Sequence, residues 1–376
     1  MARIIEVTDL SGAYASRLLV ESGHEVIRVE WHNRDSLRYR EPLLGGGNNG
    51  ESSAYHHFLN AGKKSLALDL DSTAGREIFL RLVAQADVLI ANTPLAIEDA
   101  ALIAANTKLV YSKIEDEEPD ICAMARSGLM SLTGQPDQSP MVLGGDIAAL
   151  ATGIYVAVAT AAGLRSAKKT GKGLIVTVSL REALESFAEQ AMVEYSFSGV
   201  VTERRGSKGA ITAISGALPC KDGHWVISQI HRPGRWNKFV EWVNDPELAA
   251  DASLAEEENQ IKRRDFILDR VLSWASQHAK NELVQEAQKR HFPASPVSTT
   301  LDLIDDPQLI ARGFLRRIEH RQFGSITFPQ GAIATMRKSE MAAAPRLGEH
   351  NREILSQLGF SSSDQQSFAA AGAVRG

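Results

Sequence analysis

Residues 119–134, PDICAMARSGLMSLTG, place one acid, Asp120, at the mouth of a short apolar segment with a small-residue exit. Ile121, Met124, Ala125, Leu129 and Leu132 recur near helical spacing, which puts Asp120 at an N-cap or in a first turn. Unpaired backbone N–H groups and the positive end of the helix dipole stabilise a negative charge there, so Asp120 is expected to stay ionised at neutral pH. An ionised aspartate can attack a carbonyl carbon. It can equally do no more than cap the helix, and spacing alone does not choose between the two.

Other candidates narrow the chemistry. HExxH, CxxC, GxSxG and EF-hand patterns do not occur, so the common zinc-hydrolase, redox, serine-hydrolase and calcium readings have no support. His56 and His57 are adjacent, cannot both face one metal from a regular element, and are read as loop residues. Cys122 is read as a small core residue. A Walker A loop fails at residues 57–64, because His57 stands where glycine is needed and Lys64 follows Lys63. KKTGKG at 168–173 reads instead as a turn before LIVTVSL, and TDLSGAY lacks the GxGxxG of a dinucleotide site. Asp146 heads an Ala-rich, almost uncharged stretch at 144–165, read as a buried core helix with Asp146 as its N-cap and as a possible site residue.

The elements that must position these residues follow from hydrophobic patterning. IIEV, EVIRVE, SLALDL, DVLIAN and KLVYSKI read as strands, separated by helix-like segments such as TAGREIFLRLVAQA. This alternation predicts βαβ units and a parallel sheet with helices on its faces. Residues 31–57, with GGGNNG at 45–50, read as a long mobile connection. After about residue 200 the pattern changes. GALPCKDGHWVISQI predicts a hairpin turning at Lys221-Asp222-Gly223, followed by amphipathic helices over 234–243, 262–276 and 280–290. The chain divides accordingly into 1–195 (large domain, N-terminal part), 215–296 (small α+β domain) and 297–376 (return to the large domain), with a disordered tail from about 361.

Composition bounds the setting. A chain of 376 residues exceeds the usual single-domain size, which favours two domains. No apolar run reaches the ~18 residues of a membrane span. A formal charge of −5 argues against nucleic acid as a partner. Two cysteines, Cys122 and Cys220, are too few for a disulfide framework, and MARIIEVTDL has no signal-peptide pattern, so a cytoplasmic protein is expected.

In order and spacing, several blocks resemble the family III CoA-transferases, the CaiB/BaiF group. They are DLSGAYASRLLVESGHEVIRVE, RDSLR, NAGKKSLALDLDSTAGREIFLRLVAQADVLIAN and MARSGLMSLTGQP, then Asp146 with Gly153, RRG, KDGHWVI, FPASPV, DDPQLIARGF and APRLGEHNREIL. In that family an Asp seven residues before a Ser-Gly pair carries the chemistry, and Asp120 with Ser127-Gly128 has that spacing. The resemblance implies CoA transfer between an acyl-CoA donor and a carboxylic acid acceptor, through an aspartyl mixed anhydride and an aspartyl-CoA thioester at Asp120. Coenzyme A is then the substrate and no metal is needed. The implied CoA contacts are Leu10, Ser11, Trp31, Arg38, Leu68, Asn92, Thr93 and Met124. The implied architecture is α/β, a Rossmann-like large domain with a smaller α+β domain in an interlocked homodimer, with a heteromer as the alternative.

The chain also departs from the family pattern. Asp71 stands where a Lys is common, Thr93 where a bulky group is usual, and Trp31 where a basic residue or proline often follows the strand glutamate. The approach to Asp120 is shortened to EDEEP at 115–119, whose four acids would repel the phosphates of CoA and leave Arg38 and Arg40 as candidate phosphate partners. Two other readings follow: a redirected or non-catalytic paralogue, such as a subunit of a heteromeric transferase, and an acyl-CoA racemase. The racemase needs an Asp–His pair, and no His lies between His57 and His224.

Overall fold

The computed structural model describes residues 1–30, 35–47, 50–92, 94–115, 119–206, 213–214, 216–232, 234–320, 322–336 and 341–375. From the N-terminus, strands rich in Val, Ile and Leu alternate with helices: β1 (Arg3–Val7), α1 (Leu10–Glu21), β2 (Glu25–Glu30), α2 (Ala54–Asn60), β3 (Lys64–Ala67), α3 (Thr73–Ala84), β4 (Val88–Asn92) and α4 (Asp99–Ala105). Then come β5 (Val110–Glu115), α5 (Asp120–Arg126), α6 (Leu129–Leu132), α7 (Ile147–Thr170), β6 (Leu174–Ser179), α8 (Leu180–Glu185) and α9 (Glu189–Ser198).

The six strands form one parallel sheet in the order β3-β2-β1-β4-β5-β6. A parallel sheet needs both faces covered. Ile5, Ile27, Leu66 and Leu89 pack on one face against Phe79 and Leu82 of α3 and Leu102 of α4. On the other, Ile4, Val26, Ile90 and Val110 meet Leu19 of α1 and Val156 of α7. Strand order reverses between β1 and β4, so the chain leaves their carboxyl ends in opposite directions and opens a crevice there.

Helix α7 runs through its glycines unbroken. A Cβ at Gly153 would lie 2.6 Å from the Ser11 carbonyl oxygen, and one at Gly163 2.7 Å from Val110 Cγ1, so glycine at these positions lets α1 and β5 come close. The helix is buried on one side only, which corrects the expectation of a fully buried core helix: Ala148, Thr152 and Val156 are enclosed, while Ile154, Tyr155 and Val158 are exposed. By length and composition α7 is long and apolar enough to cross a membrane, a property that buried helices of globular proteins share.

The chain forms two compact units, one of Met1–Leu129, Leu143–Val193 and Pro307–Gly376, the other of Met130–Val142 and Glu194–Asp306. The return to the first unit falls at Pro307 rather than at 297. In the second unit β7 (Leu218–Cys220), β8 (Gly223–Ile227) and β9 (Ala294–Pro296) pair antiparallel, with the turn where Asp222-Gly223 predicts it. Fully buried Trp225 centres this unit, edge-on to Trp242 and Trp274. The first unit also holds the hairpin β10 (Leu315–His320) and β11 (Gly324–Pro329).

Three local expectations are corrected. Described parts of 31–57 are built rather than loose: Asp35 caps a 3-10 turn over Ser36–Tyr39 by accepting from Leu37 N–H, and His56 and His57 are buried in α2. Cys122 is exposed, because the buried side of the short α5 is taken by Ala123 and Met124. The expected disordered tail is ordered. Ser361 and Asp364 form a reciprocal capping box for helix Ser362–Ala370, Phe368 packs edge-on to Phe360 at 5.0 Å, and Val374 is buried in a bridge to Leu68.

Candidate active site

The carboxyl edge of the sheet gathers the polar residues. A cleft of about 180 Å³ at the β1–β4 reversal is lined by Thr8, Asp9, Arg28, Glu30, Asp35 and Asn92 among others. Asn92 ends β4 and accepts from Asp9 N–H through Oδ1 at 3.2 Å. Its Nδ2 and the Ser11 Oγ are buried without a hydrogen-bond partner among the described residues. Buried polar atoms left unpaired cost free energy, so two at one edge mark a place where a ligand can supply the missing bonds.

Asp120 follows β5 and opens α5 in its first turn, with Pro119 in the cap position. Ser127 ends that helix: its N–H bonds the Ala123 carbonyl at 2.9 Å, its buried hydroxyl donates to the Met124 carbonyl at 3.0 Å, and Gly128 then takes φ +85°. The Asp-to-Ser-Gly spacing is thus the length of a two-turn helix with its stop signal, which sets the half-buried Asp120 at one end. Burial pushes its carboxyl above the ordinary value, the Asp146 carboxylate pushes it further, and Arg40 pulls it down. Burial and Asp146 thus work against the ionisation that a helix start favours. Asp9, itself pushed up chiefly by burial, also feels the Asp120 charge.

Asp146 occupies the N-cap position of α7, yet its side chain makes no capping bond. One carboxylate oxygen accepts from Arg40 Nη2 and the other from the Tyr55 hydroxyl of α2. The Arg40 guanidinium lies over the Tyr55 ring, 4.8 Å from its centroid. This trio was not foreseen as a unit. Arg40 and Tyr55 lie 106 and 91 positions from Asp146, and no periodicity connects them.

Of the expected CoA contacts, Leu10 and Ser11 form the buried first turn of α1, Asn92 borders the cleft, and Met124 is buried in α5. Leu68 is wholly buried beyond β3, its N–H bonded to the Glu30 carbonyl at 3.0 Å. Trp31 and Thr93 lie outside the described residues, as do Asp116, Glu117 and Glu118 of the acidic approach. Arg38 does not offer a free cation. It is buried, bidentate on Glu30 at 2.5 and 2.9 Å, bonded to Glu51 at 2.9 Å, and turned from the surface because those carboxylates need a counter-charge.

Behind the cleft, Lys63 is fully buried, with Nζ 2.7 Å from Glu6, 2.9 Å from Asn60 Oδ1 and 3.0 Å from the Ala13 carbonyl. Burial pulls its ammonium down to about 8, against the opposing pull of Glu6. Arg28 joins Glu6 to Asp35, 2.6 Å away. Glu6 inside the apolar run IIEV was the available sign of this buried network.

The family model for CoA-transferase family III matches residues 2–351. A succinyl-CoA:mesaconate CoA-transferase of Haloarcula hispanica is 29% identical, over 95% of each chain. A succinyl-CoA:(R)-benzylsuccinate CoA-transferase subunit, BbsE, of Thauera aromatica is 27% identical over 99% of this chain and 97% of that one. The crystal structure of a CaiB/BaiF family protein from Brucella suis superposes with a TM-score of 0.85 at 28% identity, covering 95% of this chain and 98% of the other.

Proposed function

The chain belongs to CoA-transferase family III, an enzyme acting on acyl-CoA and acid substrates, and from that premise we propose that Asp120 is its acyl-carrying nucleophile. The observation that carries this reading is the setting of Asp120: half-buried at the carboxyl edge of the sheet, with its anion destabilised by burial and by Asp146. A more basic carboxylate is the better nucleophile, and acylation removes the charge that the site disfavours.

Asp120 attacks the donor thioester carbonyl, the C–S bond breaks, and CoA leaves as thiolate from a mixed anhydride. The thiolate attacks the Asp120 carbonyl, releasing the donor acid as carboxylate and leaving an aspartyl-CoA thioester. The acceptor carboxylate attacks that thioester and expels the thiolate. Thiolate attack on the acceptor's acyl carbon then forms the product and frees Asp120. Each addition creates an oxyanion, which nearby N–H donors would stabilise. Ser11 and Asn92 would hold CoA through their orphaned atoms, beside Leu10 and Met124.

We also read the larger unit as Rossmann-like, supported by its strand order, and the protein as a dimer, supported by the exposed apolar residues of α7 and by α9, which buries none of its residues. A second reading, a subunit of a heteromeric transferase, is favoured by the Thauera aromatica relative, which is named as a subunit. The racemase reading is the weaker one, since it needs an upstream His beside Asp120 and no His lies between His57 and His224.

The test is Asp120→Ala with an acyl-CoA donor and a panel of carboxylic acids. Transfer should fall at least about 10³-fold, as loss of a covalent nucleophile does. Intact-protein mass spectrometry should show a CoA adduct at Asp120 in the wild type alone. Retained transfer in Asp120→Ala, or absence of any wild-type adduct, would sink the reading.

A further inference from the structure

Building on the reading of Asp120 as acyl carrier, we propose that Arg40 binds a second carboxylate on the substrate acid and so directs the enzyme toward dicarboxylic acids. The geometry supporting this is a cation fixed on one side and open on the other. Arg40 leaves the 3-10 turn Ser36–Tyr39, whose Asp35 and Arg38 are locked into the buried charge network. Its guanidinium rests on the Tyr55 ring and donates Nη2 to Asp146, whose other oxygen is held by the Tyr55 hydroxyl. Even so, the Arg40 side chain is 41% exposed, against 3% for Arg38.

A guanidinium carries five N–H donors in a planar fork. Among the described residues, the fork is tied to Asp146 through Nη2 and to the Tyr55 side chain, and of its five donors enough remain to meet a carboxylate. The aromatic rest and the Asp146 contact restrict the side chain before a ligand arrives, so little rotamer freedom is lost on binding.

Location gives this edge its meaning. Asp146 heads α7, α7 packs against α5, and α5 begins with Asp120. Asp9, Asp120 and Asp146 make this neighbourhood anionic, and Arg40 is the cation that acts on Asp120. A monocarboxylic acid brings one anion, which is consumed as it becomes acyl. A dicarboxylic acid keeps its second charge through every step, and in these surroundings that charge needs a cation within reach of Asp120. Arg40 meets both conditions, whereas Arg38 is spent on Glu30 and Glu51.

The experiment uses acetyl-CoA as donor, which has no second carboxylate, and compares succinate and glutarate with butyrate and valerate as acceptors. Wild-type kcat/KM should favour the diacids. In Arg40→Met the diacid-to-monoacid ratio should fall about 10- to 100-fold, mainly through KM of the diacid, with Arg40→Lys intermediate. The monoacids are the internal reference: any slowing common to all acceptors, such as that from the loss of Arg40's pull on the Asp120 carboxyl, cancels in the ratio, and adduct formation at Asp120 in the wild type tests the nucleophile separately. An unchanged ratio, or a wild-type preference for monoacids, overturns the proposal. So does a loss confined to KM for acetyl-CoA, which would assign Arg40 to the CoA phosphates. If the wild type forms no adduct and uses no acid, the Asp120 reading falls and this proposal with it.

Discussion

Burial and the Asp146 carboxylate raise the Asp120 carboxyl above its ordinary 3.8, and Arg40 opposes them. The proposed attack by Asp120 requires the anion, so kcat/KM for the acyl-CoA donor should fall as pH drops through this raised value. Asp146→Asn removes one of the raising charges and should move that acid limb to lower pH; a move to higher pH would show that Asp146 acts mainly by holding Arg40 in place. Asp120 was legible as a candidate because its spacing to Ser127-Gly128, on which the resemblance turns, is local, the length of one short helix. Its tuning was not, because Tyr55, Arg40 and Asp146 meet only through the tertiary fold. The partners of Arg38 were not legible for a related reason: the strand-end Glu30 is fully buried and claims the guanidinium.

Helix α7 shows what a sequence says and omits about an element. Its small residues announced close packing, and Gly153 supplies it, since an added Cβ would come within 2.6 Å of a backbone oxygen in the first turn of α1. Gly153→Ala should therefore destabilise the fold by about 1–3 kcal/mol, as overpacking does, lowering the urea midpoint. An unchanged midpoint would mean that the α1–α7 contact yields without cost. The alternation of strands and helices was readable because each strand of a parallel sheet is a short apolar run bounded by turns. The helix over Ser362–Ala370 escaped notice because its apolar anchors are few, and its capping box sits in a serine-rich run that resembles a frayed end.

For the molecule as a whole, the proposed dimer is something composition and periodicity do not suggest, and it came from resemblance. In the first unit, Ile154, Tyr155 and Val158 of α7 are exposed, and so is Phe187. Apolar surface on this scale marks an interaction face, and a closed two-fold pair is the commonest way to cover one. Light scattering should give twice the chain mass, and Val158→Glu should halve it; a monomeric wild type would refute the dimer. The edge of β3 has a different guardian. Ala67 N–H bonds Asn351 Oδ1 at 2.9 Å across 284 positions, His350 N–H bonds the Ser65 carbonyl, and Val374 bridges Leu68. Loop closure grows only with the logarithm of length, about 0.6 kcal/mol per doubling, so this distance costs little stability. What it costs is time. During synthesis the sheet's outer strand must wait, open to pairing with another chain, until His350, Asn351 and then Val374 have left the ribosome.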